Sequence, residues 1–364
     1  MKFYLPTLVY SEKHCVENHK KELADLGDKA FIVTGRHSSK ANGSLDDVIS
    51  ALSSQGMKYA IFDEIEENPS TETVMKAANL GRAAEVDFVI GIGGGSPMDA
   101  AKAIAFMISN PGRDADVMYE KCELHDALPV AEVPTTAGTG SEITPYSILT
   151  YHKIKTKKSI AHLIYPKLAL VDAKYLKTAS AENTIYTAVD TLAHLVESYL
   201  NTNSDSFNRT FSMRGLELWG SVKDEIRRKR FSETVYEKLM EACNYGGMAI
   251  THTGTSLPHG LSYMLTYNLG VPHGRAVGVF LARYVRLFAA HGPEDARKVL
   301  NLLGFDNLDE LEEYLDFVLG HVSVTDDMKK ANVDAILSNA AKLKNYPFEV
   351  TEEELLKVHR YREE

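Results

Sequence analysis

Short apolar runs alternate with helical patterns through the first half of the chain, and this alternation constrains the fold more than any other feature. The apolar runs predict buried strands at 30–35, 59–65, 87–92, 129–136 and 168–175. Amphipathic patterns predict helices at 45–55, at 71–85 and after the glycine turn within 93–109. Residues 146–162 predict a hairpin, and FYLPTLVY near the N-terminus is a candidate edge strand. Strands that alternate with helices favour a parallel sheet covered by helices, an α/β fold.

The pattern changes near residue 180. The segments 181–200 and 232–250 are long and helically periodic, and no further strand-like runs follow them. Ser and Thr residues near 176–182 favour the start of a helix. We therefore expect two domains, an α/β nucleotide-binding domain at 1–180 and an all-helical domain at 181–364.

Composition limits the class of protein. The 364 residues are 44% hydrophobic and 25% charged, which is typical of a globular chain long enough for two cores. The formal net charge of −10 disfavours nucleic acid or an anionic membrane as a partner. Cys15, Cys122 and Cys243 are scattered, which fits a reducing interior. Since neither a leader pattern nor a long apolar run is evident, we expect a cytoplasmic protein.

Four side chains in the second half could surround one metal ion. Asp190 and His194 are four residues apart and so share one helix face, and His259 and His273 each precede a glycine. Three imidazoles and one carboxylate suit divalent iron, zinc, cobalt, nickel or manganese better than calcium. On spacing alone, an ordinary helix pair with two turn histidines explains the pattern equally well.

Two small-residue loops follow predicted strands. Residues 93–96, Gly-Gly-Gly-Ser, stand where a strand leads into a helix, a place where backbone N–H groups bind phosphate. The run departs from the G-x-G-x-x-G fingerprint because Ser96 replaces the last glycine, and it follows the third predicted strand. Residues 134–142 form a second, hydroxyl-rich loop. The alternatives are a packing turn and an ordinary Ser/Thr loop.

The end of the predicted strand at 30–35 bears on the choice between NAD(H) and NADP(H). An acidic residue there would bind the ribose 2′-hydroxyl of NAD, but this chain has Gly35. The following loop contains Arg36, Ser38, Ser39 and Lys40, which offer donors and positive charge. These residues suit the 2′-phosphate of NADP(H), and a solvated loop is the alternative.

At these motifs the chain resembles the iron-containing, metal-dependent (group III) alcohol dehydrogenases. The resemblance covers nearly the whole chain and depends on residues 93–103, residues 134–142, the Asp190–His194 pair, and the segments GTSLPHG and VPHG, in this order. It implies an N-terminal dinucleotide-binding α/β domain and a helical C-terminal domain, the plan of dehydroquinate synthase-like proteins. It also implies a cleft between the domains that holds metal and nicotinamide.

The resemblance implies a set of contact residues as well. The implied metal ligands are Asp190, His194, His259 and His273. The implied cofactor contacts are Gly35, Ser39 and Lys40 after the first strand, Asn68, Gly94, Gly95, Ser96 and Asp99 at the glycine turn, Thr135, Thr136, Thr139 and Thr144 in the second loop, and Lys158. Lys157 is an alternative to Lys158, since the length of the hairpin is uncertain.

One departure concerns the proton path. Many family members have a histidine four residues after the third metal ligand, but this chain has Tyr263, which we interpret as a wall residue. His252 is a weak substitute candidate for the proton carrier. The catalytic acid or base therefore stays unassigned.

The implied activity is hydride transfer between NAD(P)(H) and a primary alcohol or aldehyde, with Fe²⁺ favoured over Zn²⁺, NADP(H) over NAD(H), and a homodimer as the assembly. The alternatives are a glycerol-type or maleylacetate-type reductase and a dehydroquinate synthase-like lyase. The lyase needs several basic residues around a phosphorylated acid, and few occur in the metal-bearing segments. A non-catalytic sensor has no support from any effector-like segment.

Overall fold

A computed structural model describes residues 3–121 and 124–359, without the side chains of 341 and 342. Cys122 lies outside the described residues. The chain divides into two compact units: Leu5–Ala179 forms one, and the other contains the residues from Ser180 onward together with Phe3 and Tyr4. We call them the α/β unit and the helical unit.

The α/β unit is built on a parallel sheet. Its strands are Leu8–Ser11 (β1), Lys29–Gly35 (β2), Lys58–Ile65 (β3), Phe88–Gly93 (β4), Val130–Pro134 (β5), Ile148–Tyr151 (β6), Thr156–Ser159 (β7) and Leu168–Val171 (β8). Six of them form the sheet in the order β1-β8-β5-β4-β2-β3, with every pair parallel. The other two, β6 and β7, pair antiparallel as a separate hairpin.

Helices cover this sheet. They are Cys15–Asn18 (α1), Lys20–Ala24 (α2), Ser38–Ala41 (α3), Ser44–Ser54 (α4), Thr71–Ala83 (α5) and Gly95–Ser109 (α6), with 3₁₀ turns at Ala115–Tyr119, His152–Ile154 and Ala173–Thr178. Successive residues of a strand point to opposite faces, so in β2 Phe31 and Val33 join one apolar cluster while Ala30 and Ile32 join another. Full burial of a Val, Ile or Phe side chain contributes roughly 1.5–3 kcal/mol to stability, and burial of Ala contributes less. This burial explains why the apolar runs lie in the interior of the unit.

The predicted α/β architecture, the hairpin and the edge position of the N-terminal strand are confirmed. Two details differ. The last predicted strand ends at Val171, because the Asp172 side chain accepts a hydrogen bond from Lys174 N–H and starts a 3₁₀ turn. The glycine turn follows the fourth strand in chain order, since β1 precedes the three strands counted from the sequence.

The helical unit contains helices and no strand among its described residues. They are Ala181–Tyr199 (α7), Ser206–Gly220 (α8), Lys223–Arg227 (α9), Glu233–Thr253 (α10), Leu257–Leu269 (α11), His273–Ala289 (α12), Pro293–Leu303 (α13), Leu308–Leu319 (α14), Asp326–Leu337 (α15), Ala340–Leu343 (α16) and Glu352–Val358 (α17). Ser180 caps α7 by accepting a hydrogen bond from Asn183 N–H, as its position near the change of pattern predicts. Within the described ranges, no helix has both the length and the apolar character needed to span a membrane.

The helical unit buries a histidine, His359, directly after helix α17. His359 is fully buried, its ring packs edge-on against Phe280 with the centroids 4.9 Å apart, and its Nε2 accepts a hydrogen bond from Asn332 Nδ2 at 3.2 Å. Burial, aided by the positive charges of Lys329 and Arg283, lowers the pKa of His359 to about 4. The folded protein therefore keeps this imidazole neutral.

We predict that the helical unit loses stability as the pH falls. Because the pKa of His359 is lower in the folded than in the unfolded chain, its contribution is fully present above about pH 6.5 and is lost toward pH 4. The loss amounts to about 3 kcal/mol. Urea unfolding followed by fluorescence of the chain's one tryptophan, Trp219 in α8, measures it in this unit.

The His359→Gln variant should show a flatter dependence of unfolding free energy on pH than the parent protein. The matched control is His321→Gln, at an exposed position of the same unit, which should leave the dependence unchanged. Equal slopes for the parent and His359→Gln would contradict the assignment.

Candidate metal centre and cofactor loops

Helix α7 carries the acidic half of the candidate metal centre. Asp190, His194 and Glu197 follow at i, i+4 and i+7, so they lie on one face of the helix, and all three are buried. The spacing of the first two was visible in the sequence; Glu197 was missed, although the same periodicity places it beside them.

Helices α11 and α12 supply the other two histidines. His259 is the third residue of α11, and His273 is the first residue of α12. Helix α12 approaches α7 very closely at Gly274, where an added Cβ would lie 1.8 Å from the Tyr186 carbonyl oxygen. The space that the glycine leaves beside His273 is thus filled by the backbone of α7, and this contact brings His273 to Asp190.

Three of the predicted side chains, the histidines, converge on one carboxylate oxygen of the fourth, Asp190. Asp190 Oδ1 lies 3.4 Å from His259 Nε2, 3.7 Å from His273 Nε2 and 3.9 Å from His194 Nε2. Donor atoms of Asp190, His259 and His273 all lie within 4.8 Å of one another. The rings of His194 and His259 stack with their centroids 4.6 Å apart.

Two of these atoms are buried without a hydrogen bond. Asp190 Oδ1 and His259 Nε2 have no hydrogen-bond partner, although both side chains are almost fully buried. A polar atom in that position costs free energy unless something pairs with it, and a divalent cation would satisfy both atoms at once. The donor set, one carboxylate with imidazoles, fits such an ion.

The charges of the centre support the same interpretation. Burial raises the pKa of Asp190, but the imidazoles of His194, His273 and His259 outweigh this effect and hold the pKa of the carboxyl below its usual range. Burial lowers the pKa of His259, but the carboxylates of Glu197 and Asp190 raise it to about 10. Since a ligating imidazole must be neutral, metal binding here would release a proton.

Glu197 orients His259. Its Oε1 lies 2.6 Å from His259 Nδ1, and its Oε2 accepts the Ser256 N–H at the start of α11. The bond to Nδ1 leaves Nε2 facing Asp190. A carboxylate that holds the far nitrogen of a histidine in this way is a common partner of a metal ligand.

In the α/β unit the two predicted loops touch. An added Cβ at Gly95 would lie 2.7 Å from Thr139 Cγ2, and one at Gly94 would lie 3.1 Å from Thr136 Oγ1. Thr136 and Thr139 are partly exposed, whereas Thr135 and Thr144 are buried. The structure therefore brings Gly94, Gly95, Thr136 and Thr139 to one surface at the carboxyl ends of β4 and β5.

Asn68 joins the same surface. Its backbone N–H donates to Ser96 Oγ at 3.1 Å, and its carbonyl oxygen accepts from Thr150 Oγ1 at 2.7 Å. Its side-chain Oδ1 accepts from Lys157 Nζ at 2.8 Å. Lys158 instead lies over the Tyr119 ring, so the structure favours Lys157, the alternative, as the lysine of this site.

Asp99 is held by the protein itself. Its Oδ1 accepts from Ser141 Oγ at 2.5 Å and its Oδ2 from Ile148 N–H at 2.9 Å. The buried Lys102, one turn later, donates to the Ser141 and Tyr146 carbonyl oxygens. Asp99 and Lys102 therefore fasten the second loop to helix α6, which gives Asp99 a positioning role. Its predicted contact with the cofactor stays a prediction.

Two other candidates have protein partners. Ser39 is fully buried, with its hydroxyl 2.8 Å from Thr34 Oγ1, so its side chain faces the interior. His252 has both ring nitrogens engaged: Nδ1 with the Met248 carbonyl oxygen at 2.9 Å and Nε2 with Tyr4 N–H at 3.2 Å. This arrangement favours anchoring of the N-terminal segment over proton transfer by His252.

Two family models match the chain, one in each unit. The family model described as iron-containing alcohol dehydrogenase matches residues 6–173, and that of the C-terminal part of the Fe-containing alcohol dehydrogenase family matches residues 184–356. The chain belongs to the iron-containing alcohol dehydrogenase family. Membership confirms the predicted class of activity, a metal-dependent alcohol dehydrogenase that uses a nicotinamide cofactor.

The chain is similar to butanol dehydrogenases and to a solved alcohol dehydrogenase structure. The chain is 28% identical to an NADPH-dependent butanol dehydrogenase of Clostridium saccharobutylicum over 87% of this chain and 82% of that protein. It is 27% identical to a probable NADH-dependent butanol dehydrogenase of Bacillus subtilis over 78% and 74% of the two chains. A crystal structure of an iron-containing alcohol dehydrogenase from Thermotoga maritima has 36% identity and a TM-score of 0.91, covering 99% of this chain and 98% of that one.

We predict that Glu197→Gln weakens metal binding. The amide cannot present two charged oxygens to His259 and Ser256, so the imidazole loses its fixed orientation and part of its basicity. We expect the metal dissociation constant to rise roughly 10–100-fold, as measured by competition with a coloured chelator. Glu217→Gln, at a half-exposed position on α8, is the control; unchanged affinity in Glu197→Gln would show that the contact is only structural.

Proposed function

We propose that the chain is an NADP(H)-preferring alcohol dehydrogenase that acts as an aldehyde reductase, with its metal ion held by Asp190, His194, His259 and His273. The observation that carries the proposal is the buried Asp190 Oδ1, which lacks a hydrogen bond and faces three imidazole nitrogens. This donor set suits several divalent ions. The description of the family favours Fe²⁺ among them, with Zn²⁺ as the second choice.

When bound, the ion supplies Lewis acidity toward the substrate oxygen. The chain's own residues orient the ligands of the ion and leave one side of the site open. Glu197 fixes the tautomer of His259, so that Nε2 faces the ion site. His273 is the most exposed of the four, with 23% of its side chain accessible, and marks the side open to a substrate.

Helix α11 supplies a candidate wall for that substrate. Tyr263 and Tyr267 follow His259 at i+4 and i+8, so the three share a face of the helix, and both tyrosines are partly exposed. Aromatic rings beside a ligand favour a small, partly apolar aldehyde or primary alcohol. The butanol dehydrogenases among the relatives agree with a substrate of this size.

The cofactor preference depends on the end of β2. Relatives of both preferences exist, so family membership does not choose between NADPH and NADH. Gly35 lacks the acid that would bind a ribose 2′-hydroxyl, and Arg36 and Lys40 beyond it are exposed. Positive charge without that acid favours the 2′-phosphate, and with it NADPH-driven reduction of aldehydes.

We also propose a homodimer. In the described part of the chain, β1 pairs with β8 alone, and Leu8 at its start is 49% exposed. An unpaired sheet edge of this kind is suited to pairing with a second copy.

The proposed function predicts NADPH consumption by the metal-loaded protein with simple aldehydes. His273→Ala removes one ligand, and we expect it to lose bound metal and most of the rate while its circular dichroism stays that of the parent. The measurements are a panel of aldehydes assayed by nicotinamide absorbance, together with elemental analysis. Full metal content and rate in His273→Ala would refute the ligand set, and turnover without net NADPH loss would indicate a lyase.

We predict that Gly35→Asp shifts the preference toward NADH. An added Cβ at Gly35 meets only the Ile65 carbonyl oxygen, at 3.4 Å, so a side chain fits there. The new carboxylate would accept a hydrogen bond from the 2′-hydroxyl and repel the 2′-phosphate. The ratio of kcat/KM for NADPH to that for NADH should fall at least about tenfold, with Gly35→Ala as the control for the side chain alone; an unchanged ratio would place the ribose elsewhere.

A further inference from the structure

The strand next to β2 has an irregularity at its carboxyl end. Val33 pairs with Phe62 and Gly35 pairs with Ile65, so Asp63 and Glu64 together stand opposite Thr34. Two residues facing one make a bulge, and bulges redirect side chains. This one lies beside Gly35, where the proposed function puts the adenosine ribose.

The two carboxylates of the bulge diverge. Asp63 Oδ2 lies 2.5 Å from Lys40 Nζ, on the helix that follows β2. Glu64 Oε2 lies 2.6 Å from Lys76 Nζ on α5. The two ion pairs are alike in length and exposure: 41% and 50% of the side chains of Asp63 and Lys40 are accessible, against 47% and 56% for Glu64 and Lys76.

Lys40 is therefore a paired cation. Its hydrogen bond lowers the pKa of Asp63, and the Arg36 charge lowers it further, so Asp63 is ionised at neutral pH. Beyond the end of β2, Arg36 and Lys40 are exposed and positively charged, and the carboxylate of Asp63 already pairs with Lys40. Sequence reasoning identified Lys40 and missed its partner, because Asp63 belongs to the neighbouring strand.

We propose that Asp63 determines how strongly this chain prefers NADP(H), by competing with the 2′-phosphate for Lys40. The inference rests on the proposed position of the ribose. An exposed ion pair is weak, whereas a phosphate accepts stronger charge-assisted hydrogen bonds, so a 2′-phosphate can take Lys40 from Asp63. A 2′-hydroxyl cannot, and Lys40 stays with Asp63 when NAD(H) binds.

The test is nucleotide binding to the full chain, measured by calorimetry with adenosine 2′,5′-bisphosphate and with 5′-AMP. Asp63→Asn frees Lys40 and removes a negative charge, so it should tighten the bisphosphate about three- to tenfold and leave 5′-AMP unchanged. Lys40→Gln should weaken the bisphosphate by a similar factor, and the gain from Asp63→Asn should shrink in the double variant, because the freed amino group is missing.

Glu64→Gln is the matched control, since it breaks an equivalent ion pair on the adjacent residue of the same strand. If Asp63→Asn changes the ratio of the two affinities no more than Glu64→Gln does, the inference is overturned. A parent protein that binds both nucleotides equally would refute the NADP(H) preference instead, and the shift caused by Asp63→Asn would still decide the role of Asp63. The kcat/KM ratio for NADPH over NADH should move with the binding ratio.

Discussion

The buried carboxylate of Asp190 is the constraint around which the helical unit is arranged. An ionised carboxylate placed in a protein interior costs several kcal/mol unless positive charge or hydrogen bonds compensate. Here the compensation comes from imidazoles on three helices, α7, α11 and α12, all directed at one oxygen. Glu197 adds a second buried charge from the same face of α7 and holds one of those imidazoles. The helices must pack so that these groups meet, and a bound cation would complete the charge balance.

That packing depends on small residues at defined positions. Gly274 lets the start of α12 lie against the backbone of α7, and one turn later an added Cβ at Gly278 would come within 2.4 Å of Val189 Cγ1. Any side chain at Gly274 would separate the helices and carry His273 away from Asp190. The glycine after His273 is thus explained by helix packing, and the position of the His273 imidazole beside Asp190 follows from it.

The sequence predicted the strands and helices that have a strong local periodicity. It did not predict side-chain contacts that depend on strand register or on a local turn. Strands β2 to β5 and helix α7 have strong periodic patterns, and all formed where expected. The choice between Lys157 and Lys158 depends on the hairpin register, in which Lys157 lies opposite Thr150, the residue that also binds Asn68. Ser39 was expected in an open loop, but a short helix at Ser38–Ala41 turns it toward Thr34. Neither register nor that turn can be read from composition.

Buried carboxyl oxygens without hydrogen bonds occur in both units, and the pKa of the acid shifts in opposite directions in the two units. The carboxyl oxygens of Glu132 and Glu142 are buried and lack partners in the α/β unit. Burial raises the pKa of Glu142 to about 7 and that of Glu132 well above its usual value, so both hold protons readily. Asp190 is as deeply buried, yet its pKa is lowered, because imidazoles surround it. An unpartnered oxygen that stays anionic while nitrogen donors converge on it is the combination that a divalent ion requires.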